Sequence, residues 1–216
     1  MTQNKKYGDL PKYLGTHEVY CDEMLFYQYL PIKLKKQTKP IVEERLKCFE
    51  ELIGNICCDF VGEFGLDKFV NSYVYLTAKK MYQVNNCSYN RKGYHSDGFL
   101  TDDINYVWCD ENPSIFNSSD FKLTLDDTIS MKEMEKQADD KFIKIYPNNS
   151  LLRLNQYNIH KVNTSKKLVL RTFVKVSFSE DKYDLKGNSK NYLLDYNWKM
   201  RDRNVQRNIP QKLNKQ

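Results

Sequence analysis

Five short apolar runs in the second half of the sequence limit the possible folds more than any other feature. Turn residues separate them, and they cover Tyr106–Trp108, Phe121–Leu125, Phe142–Tyr146, Leu151–His160 and Leu168–Phe178. Several short strands at near-regular spacing are typical of a sandwich or barrel and not of a parallel α/β sheet. The sequence therefore predicts a mainly β core.

Helical signals lie mostly before that core. Pro40 suits the first turn of a helix, and apolar residues then recur every three or four positions, which predicts an amphipathic helix over 40–58. Leu66–Tyr82 fits a second helix or a strand, because it is rich in aromatic and β-branched residues. The patch from Tyr20 to Leu34 fits an edge strand or a short helix. A charged segment with Asp126 or Asp127 as N-cap predicts one helix inserted among the strands.

Composition excludes several classes of protein. With 40% hydrophobic and 29% charged residues, the chain is globular and not disordered. No apolar window is long enough for a spanning helix and Met1–Gly8 is polar, so we expect a cytoplasmic protein without a membrane partner. The six cysteines lack paired zinc-ligand spacing and are expected to be reduced thiols.

The net charge of +6 is concentrated at the C-terminus. Between Trp198 and Gln216, six basic residues face the single acid Asp202, a net of +5, so the rest of the chain is almost neutral. A basic terminus of this kind is typical of a solvated tail, and contact with nucleic acid or another polyanion is the alternative.

The positions of two histidines suggest a site. His95-Ser96-Asp97 is an H-x-D motif, and alternate residues of an extended segment project to one face, so an imidazole and a carboxylate could bind one cation. His160 ends a strand-like run, and Arg171 follows eleven residues later near the start of the next. Because an unpaired buried charge is costly, an arginine among apolar residues predicts an anionic partner.

In order and spacing, His95-x-Asp97, His160 and Arg171 resemble the Fe(II)/2-oxoglutarate-dependent oxygenases, across about the C-terminal three fifths of the chain. The resemblance implies an α+β fold with a mainly β core, a double-stranded β-helix (jelly roll) flanked by N-terminal helices. It divides a single domain, 1–216, into supporting helical and edge elements at 1–88, the β-helix core at 89–198 and a basic tail at 199–216.

The same resemblance assigns roles to residues. His95, Asp97 and His160 would be the catalytic residues and the ligands of Fe(II), and Arg171 would bind the C5 carboxylate of the co-substrate 2-oxoglutarate. Many members have Ser or Thr two residues after the arginine, where this chain has Phe173, so the second donor would be Thr172, Tyr94, Tyr106 or Tyr89. With O₂, the enzyme would hydroxylate a small polar metabolite such as an amino acid and release succinate and CO₂.

Two other functions remain open. A cupin-like metalloprotein would keep the three metal ligands but not use 2-oxoglutarate. The environment of Arg171 distinguishes the two functions, because an arginine that faces solvent or pairs with a structural aspartate could not bind the co-substrate. A non-catalytic β-sandwich module would bind nucleic acid through the basic tail. The sequence does not indicate an oligomeric state.

Overall fold

The computed structural model describes residues 6–84, 93–164 and 167–203. Ten strands are present there, in two antiparallel sheets. The larger sheet contains β1 (Lys12–Thr16), β2 (Leu25–Lys33), β3 (Tyr73–Gln83), β5 (Ile104–Cys109), β8 (Ser150–Leu154) and β10 (Val169–Ser179). The smaller sheet contains β4 (His95–Ser96), β6 (Ile115–Asn117), β7 (Ile143–Ile145) and β9 (Ile159–Lys161). The predicted mainly β, α+β class is confirmed.

From β3 onwards the chain passes back and forth between the sheets, with the consecutive strands β6 and β7 both in the smaller one. The larger sheet has the order β1-β8-β5-β10-β3-β2 and the smaller one β4-β9-β6-β7. Strands β3, β5, β8 and β10 therefore lie in one sheet, and β4, β6, β7 and β9 in the other. The boundary drawn at residue 88 separates β3 from its neighbour β10, with which it pairs over its whole length.

The outer face of the larger sheet packs against the helices. A 3-10 helix, Glu44–Phe49, leads into α1 (Glu50–Phe64), which Gly65 separates from α2 (Leu66–Asn71). The apolar face of α1 is buried on the sheet, where Phe60 stacks on Phe178 of β10 with ring centroids 3.9 Å apart. The predicted helix over 40–58 thus exists in part, with its α-helical portion beginning at Glu50.

Other local predictions differ from the structure. The segment Leu66–Tyr82, predicted as a helix or a strand, begins as the short helix α2 and continues as strand β3. Phe121–Leu125 forms no strand, and a turn divides Leu151–His160 into β8 and β9. The inserted helix is confirmed as α3 (Asp127–Gln137), with the Asp126 side chain accepting hydrogen bonds from the amides of Thr128 and Ile129.

The basic tail is described only as far as residue 203. There Arg201 donates to the Asp184 carboxylate, and Arg203 donates to the Lys186 carbonyl. The remaining predicted tail, 204–216, lies outside the described residues. Within the described part of the chain, no helix is long and apolar enough to span a membrane.

Candidate metal centre

Three side chains from the smaller sheet converge in a group that could hold a metal ion. His95 of β4 pairs directly with His160 of β9, and Asp97 follows β4. One ligand atom from each of the three lies within 4.8 Å of the others, and the imidazole centroids are 4.6 Å apart. The convergence of these three residues, predicted from spacing, is confirmed.

Backbone carbonyls orient both imidazoles. The Nδ1 atom of His95 lies 3.1 Å from the Gly93 oxygen, and that of His160 lies 3.0 Å from the Asn158 oxygen. A proton on each Nδ1 leaves Nε2 as the ligand atom, and the His160 Nε2 is 3.7 Å from the Asp97 Oδ2. Metal-bound histidines are typically fixed in this way by their second nitrogen. The donor set and its support therefore fit a divalent metal ion.

A buried lysine, which the sequence analysis did not identify, adjoins the group from the larger sheet. The ammonium of Lys175 on β10 is 3.1 Å from Asp97 Oδ2 and 3.3 Å from the Tyr29 hydroxyl. Burial alone would raise the pKa of the Asp97 carboxyl, but Lys175 and the two imidazoles hold it well below its usual range. Burial likewise opposes the charge of Lys175, and Asp97 raises its pKa overall.

Arg171 lies on the same strand face as Lys175. Alternate residues of β10 point to opposite faces, so Arg171, Phe173 and Lys175 face the smaller sheet while Val174 and Val176 enter the helix-side core. The Arg171 Nε donates to the Glu111 carbonyl at 2.9 Å, and the guanidinium lies 5.0 Å from the Phe173 ring centroid. Although Arg171 is buried, it has no ion pair with a carboxylate of the described residues.

Lys79 adds positive charge to this inner face. It lies opposite Phe173 in the pairing of β3 with β10. Burial, together with the charges of Lys175 and Arg171, lowers the pKa of Lys79 to about 8. Three cationic side chains therefore lie on the inner face of the larger sheet, which faces the sheet of the histidines: Lys79, Arg171 and Lys175.

Three predicted co-substrate contacts do not face this site. Thr172 follows Arg171 and points to the outer face, and its amide donates to Asp110. The Tyr106 hydroxyl donates to Asp59 of α1 within the helix-side core. Tyr94 packs in a separate cluster that includes Met134 of α3. These contacts give no support to the prediction that Thr172, Tyr106 and Tyr94 bind the co-substrate.

The remaining histidine of the chain, His17, lies apart from this group. The His17 imidazole lies 3.5 Å from the Asn55 side chain, outside the metal-ligand group. Tyr89 lies outside the described residues. The signal that identifies Lys175 is its spacing of four from Arg171, which places both cations on one strand face.

The comparisons with known proteins do not assign the chain to a family. No protein-family model matches the sequence, and no curated protein matches it.

Proposed function

We propose that the chain is an Fe(II)- and 2-oxoglutarate-dependent oxygenase that hydroxylates a small polar metabolite such as an amino acid, with release of succinate and CO₂. One observation carries the proposal: two histidines and an aspartate converge, and a buried arginine with no described carboxylate partner lies on the strand face from which Lys175 contacts that aspartate. Two imidazoles and one carboxylate are the ligand set of non-haem Fe(II) oxygenases, which leaves coordination positions open for ligands.

The strand order supports the same family. Eight consecutive strands, β3 to β10, contribute four strands to each of two antiparallel sheets. A jelly roll has this double-sheet organisation, and cupins share it. We therefore propose that β3 to β10 form the double-stranded β-helix and that β1 and β2 extend its larger sheet.

Each residue of the proposed site has a defined task. His95, Asp97 and His160 would hold Fe(II), with the two Nδ1 contacts keeping Nε2 directed at the ion. When bound, Fe(II) with 2-oxoglutarate supplies the activation of O₂ for oxidation of the substrate. Arg171 would bind the C5 carboxylate through its planar fork, which matches carboxylate geometry better than a lysine does.

The proposal is tested first by binding. Under anaerobic conditions, Fe(II) should raise the unfolding temperature of the wild-type protein in a saturable way, because a ligand of the folded state stabilises it by mass action. 2-Oxoglutarate should then bind only to the metal-loaded protein. His160→Ala should abolish both effects, whereas His17→Ala should retain them because His17 is outside the group.

The same titration separates the alternatives. Metal binding without any 2-oxoglutarate binding would favour the cupin-like metalloprotein, and absence of both would leave the oxygenase proposal without support. Succinate release from 2-oxoglutarate in air, screened against small metabolites, then tests turnover. When turnover is run under isotopically labelled O₂, this reaction class is expected to place one labelled oxygen atom in succinate, which the mass of the succinate measures.

A further inference from the structure

Tyr29 has a strained backbone conformation next to the proposed metal centre. Its φ is 48°, in the left-handed region that bulky residues disfavour. The pairing of β2 with β3 shifts between Tyr27 and Leu30, so Tyr29 lies in a bulge. A bulge can redirect a side chain, and local strain is concentrated at functional sites. Here the bulge places the Tyr29 hydroxyl against Lys175.

Several contacts hold Tyr29 in this position. Its amide donates to the Thr77 hydroxyl at 3.0 Å, and its ring meets Tyr183 edge-on with centroids 5.3 Å apart. The preceding residue, Gln28, exchanges two hydrogen bonds with Ser189, one through each backbone amide. The C-terminal segment therefore fixes the bulge, and with it the hydroxyl, from outside the sheet.

Lys175 and Tyr29 retain hydrogen-bonding capacity for a ligand. An ammonium has three N–H donors, and Lys175 directs two of them to Asp97 and Tyr29. The Tyr29 oxygen accepts the hydrogen bond from Lys175, so its own O–H proton can be donated. Two donors, one of them charged, are thus available at a single point next to the metal ligands.

The charges of the loaded site favour an additional anion. A divalent ion, Lys79, Arg171 and Lys175 would contribute five positive charges, whereas Asp97 and dianionic 2-oxoglutarate would contribute three negative ones. A buried excess of positive charge is unfavourable unless a counter-ion offsets it. An acidic group on the substrate would supply that counter-ion.

An aromatic surface continues from these donors. Phe26 pairs with Lys79 across β2 and β3, and Phe26 is 52% exposed. The Lys79 ammonium lies 4.8 Å from the Phe26 ring centroid. The ring is on the inner face of the sheet, so it can contact the apolar part of a ligand held at Tyr29 and Lys175.

We propose that Lys175 and Tyr29 bind the acidic group of the substrate, which is a small organic acid. The carbons adjacent to that group would then lie nearest to the metal and would be the atoms oxidised, with the rest of the substrate against Phe26. This inference rests on the proposed function for the positions of the metal and 2-oxoglutarate, and it narrows the substrate from polar metabolites in general to anions.

The test uses protein loaded with redox-inert Zn(II), titrated with and without saturating 2-oxoglutarate. Propane-1-sulfonate and butyrate are the probes, and butyramide is the neutral match for butyrate. Binding is followed by chemical-shift changes in the protein, which do not depend on activity. We expect the two anions, but not butyramide, to bind, and to bind together with 2-oxoglutarate.

The variants identify the residues responsible. Lys175→Met should weaken anion binding by roughly tenfold to a hundredfold, the loss expected for a charge-assisted hydrogen bond. Tyr29→Phe should weaken it by about fivefold, since a neutral hydrogen bond is lost. Lys175→Arg should retain most of the affinity and tests the charge if the methionine variant folds poorly. Lys182→Met, at an exposed lysine outside the site, should have no effect.

Three results would overturn the inference. The first is equal binding of butyrate and butyramide, and the second is unchanged anion affinity in the folded Lys175→Met protein. The third is displacement of 2-oxoglutarate by the probes, a result that would assign Lys175 to the co-substrate. Failure of 2-oxoglutarate to bind the wild type would count against the proposed function instead. The titration without 2-oxoglutarate would then still decide whether the anion site exists.

Discussion

Arg171 and Lys175 share one face of β10 but have different partners. The charge of Lys175 is paired with Asp97, whereas Arg171 contacts a carbonyl oxygen, an aromatic ring and the Cys109 side chain. A carbonyl orients a guanidinium without neutralising it, so Arg171 keeps its full charge for a ligand. This difference supports the assignment of 2-oxoglutarate to Arg171, which the resemblance implies, and of the substrate to Lys175.

Replacement of Arg171 should separate co-substrate binding from metal binding. In Arg171→Ala, we expect unchanged Fe(II) affinity and a fall in 2-oxoglutarate affinity of roughly a hundredfold or more, because a charge-assisted bidentate pair is lost. Arg171→Lys should restore affinity only in part, since lysine lacks the planar fork. Anaerobic calorimetry on the metal-loaded variants measures both affinities. Equal 2-oxoglutarate affinity in wild type and Arg171→Ala would disprove the assignment.

The adjacent residues Cys57 and Cys58 should differ in reactivity. Burial raises the pKa of the Cys57 thiol to about 12, and Cys58 is exposed on α1. The thiolate is the nucleophile, so iodoacetamide at pH 8 should modify Cys58 and spare Cys57. Peptide mass spectrometry of the wild type and of Cys58→Ser measures this directly. Preferential labelling of Cys57 would contradict the burial argument.

Raising the pKa of a thiol also affects stability. The unfolded chain ionises Cys57 at its ordinary pKa, near 8.5, before the folded protein does. Above about pH 9 the folded state therefore binds more protons, and this thiol's contribution to the free energy of unfolding decreases as pH rises toward 12. Cys57→Ala should show a smaller decrease over that interval.

At the scale of elements, the segment after β10 ties β2 to the domain through Asn191. Its buried side-chain amide donates to the carbonyls of Pro31 and Ile41, both at 2.9 Å. Asn191→Ala leaves two carbonyls without this donor and should lower the free energy of unfolding by about 2–3 kcal/mol. Urea unfolding measures the change, with exposed Asn197→Ala as the control. Equal stability of the two variants would show that Asn191 does not anchor β2.

The predicted strand was correct where an apolar run forms a strand that is covered on both faces of its sheet. Strand β10 extends over Val169–Ser179, close to the predicted Leu168–Phe178, because both of its faces are covered. Phe121–Leu125 has a similar composition but no strand partner, and Phe121 packs beneath α3 instead. An apolar composition indicates that a segment is buried, but strand pairing depends on neighbours that are distant in sequence. The prediction of a strand at Phe121–Leu125 was wrong for this reason.

At the scale of the whole molecule, the site was only partly predictable. The convergence of His95, Asp97 and His160 was predictable because their order, with Arg171 eleven residues after His160, resembles that of a known family. Lys175 and Tyr29 were missed, because their roles depend on contact between the two sheets and on a bulge in β2. Tyr106, Tyr94 and Thr172 were chosen by residue type, which does not reveal the strand face on which each lies.

The ion pair between Asp97 and Lys175 connects the smaller sheet to the larger one, and it should stabilise the metal-free molecule. Asp97→Asn and Lys175→Met should each cost about 3 kcal/mol, because each leaves a buried charge without its partner. The double variant should be more stable than the sum predicts, with a coupling on the order of 2 kcal/mol. Urea unfolding in the presence of a chelator measures it, and the exposed pair of Arg45 with Glu23 is a control that should show little coupling.

The pH dependence of this pair has a definite sign. Lys175 and the imidazoles hold the pKa of Asp97 below its ordinary value, so on acidification the unfolded chain takes up the proton first. The contribution of Asp97 is therefore complete above about pH 4 and declines as pH falls below that value. We expect the stability difference between wild type and Lys175→Met to be constant from pH 7 to pH 5 and to narrow below pH 4. A difference that widens in acid would mean that Lys175 does not hold the Asp97 carboxylate in its charged form.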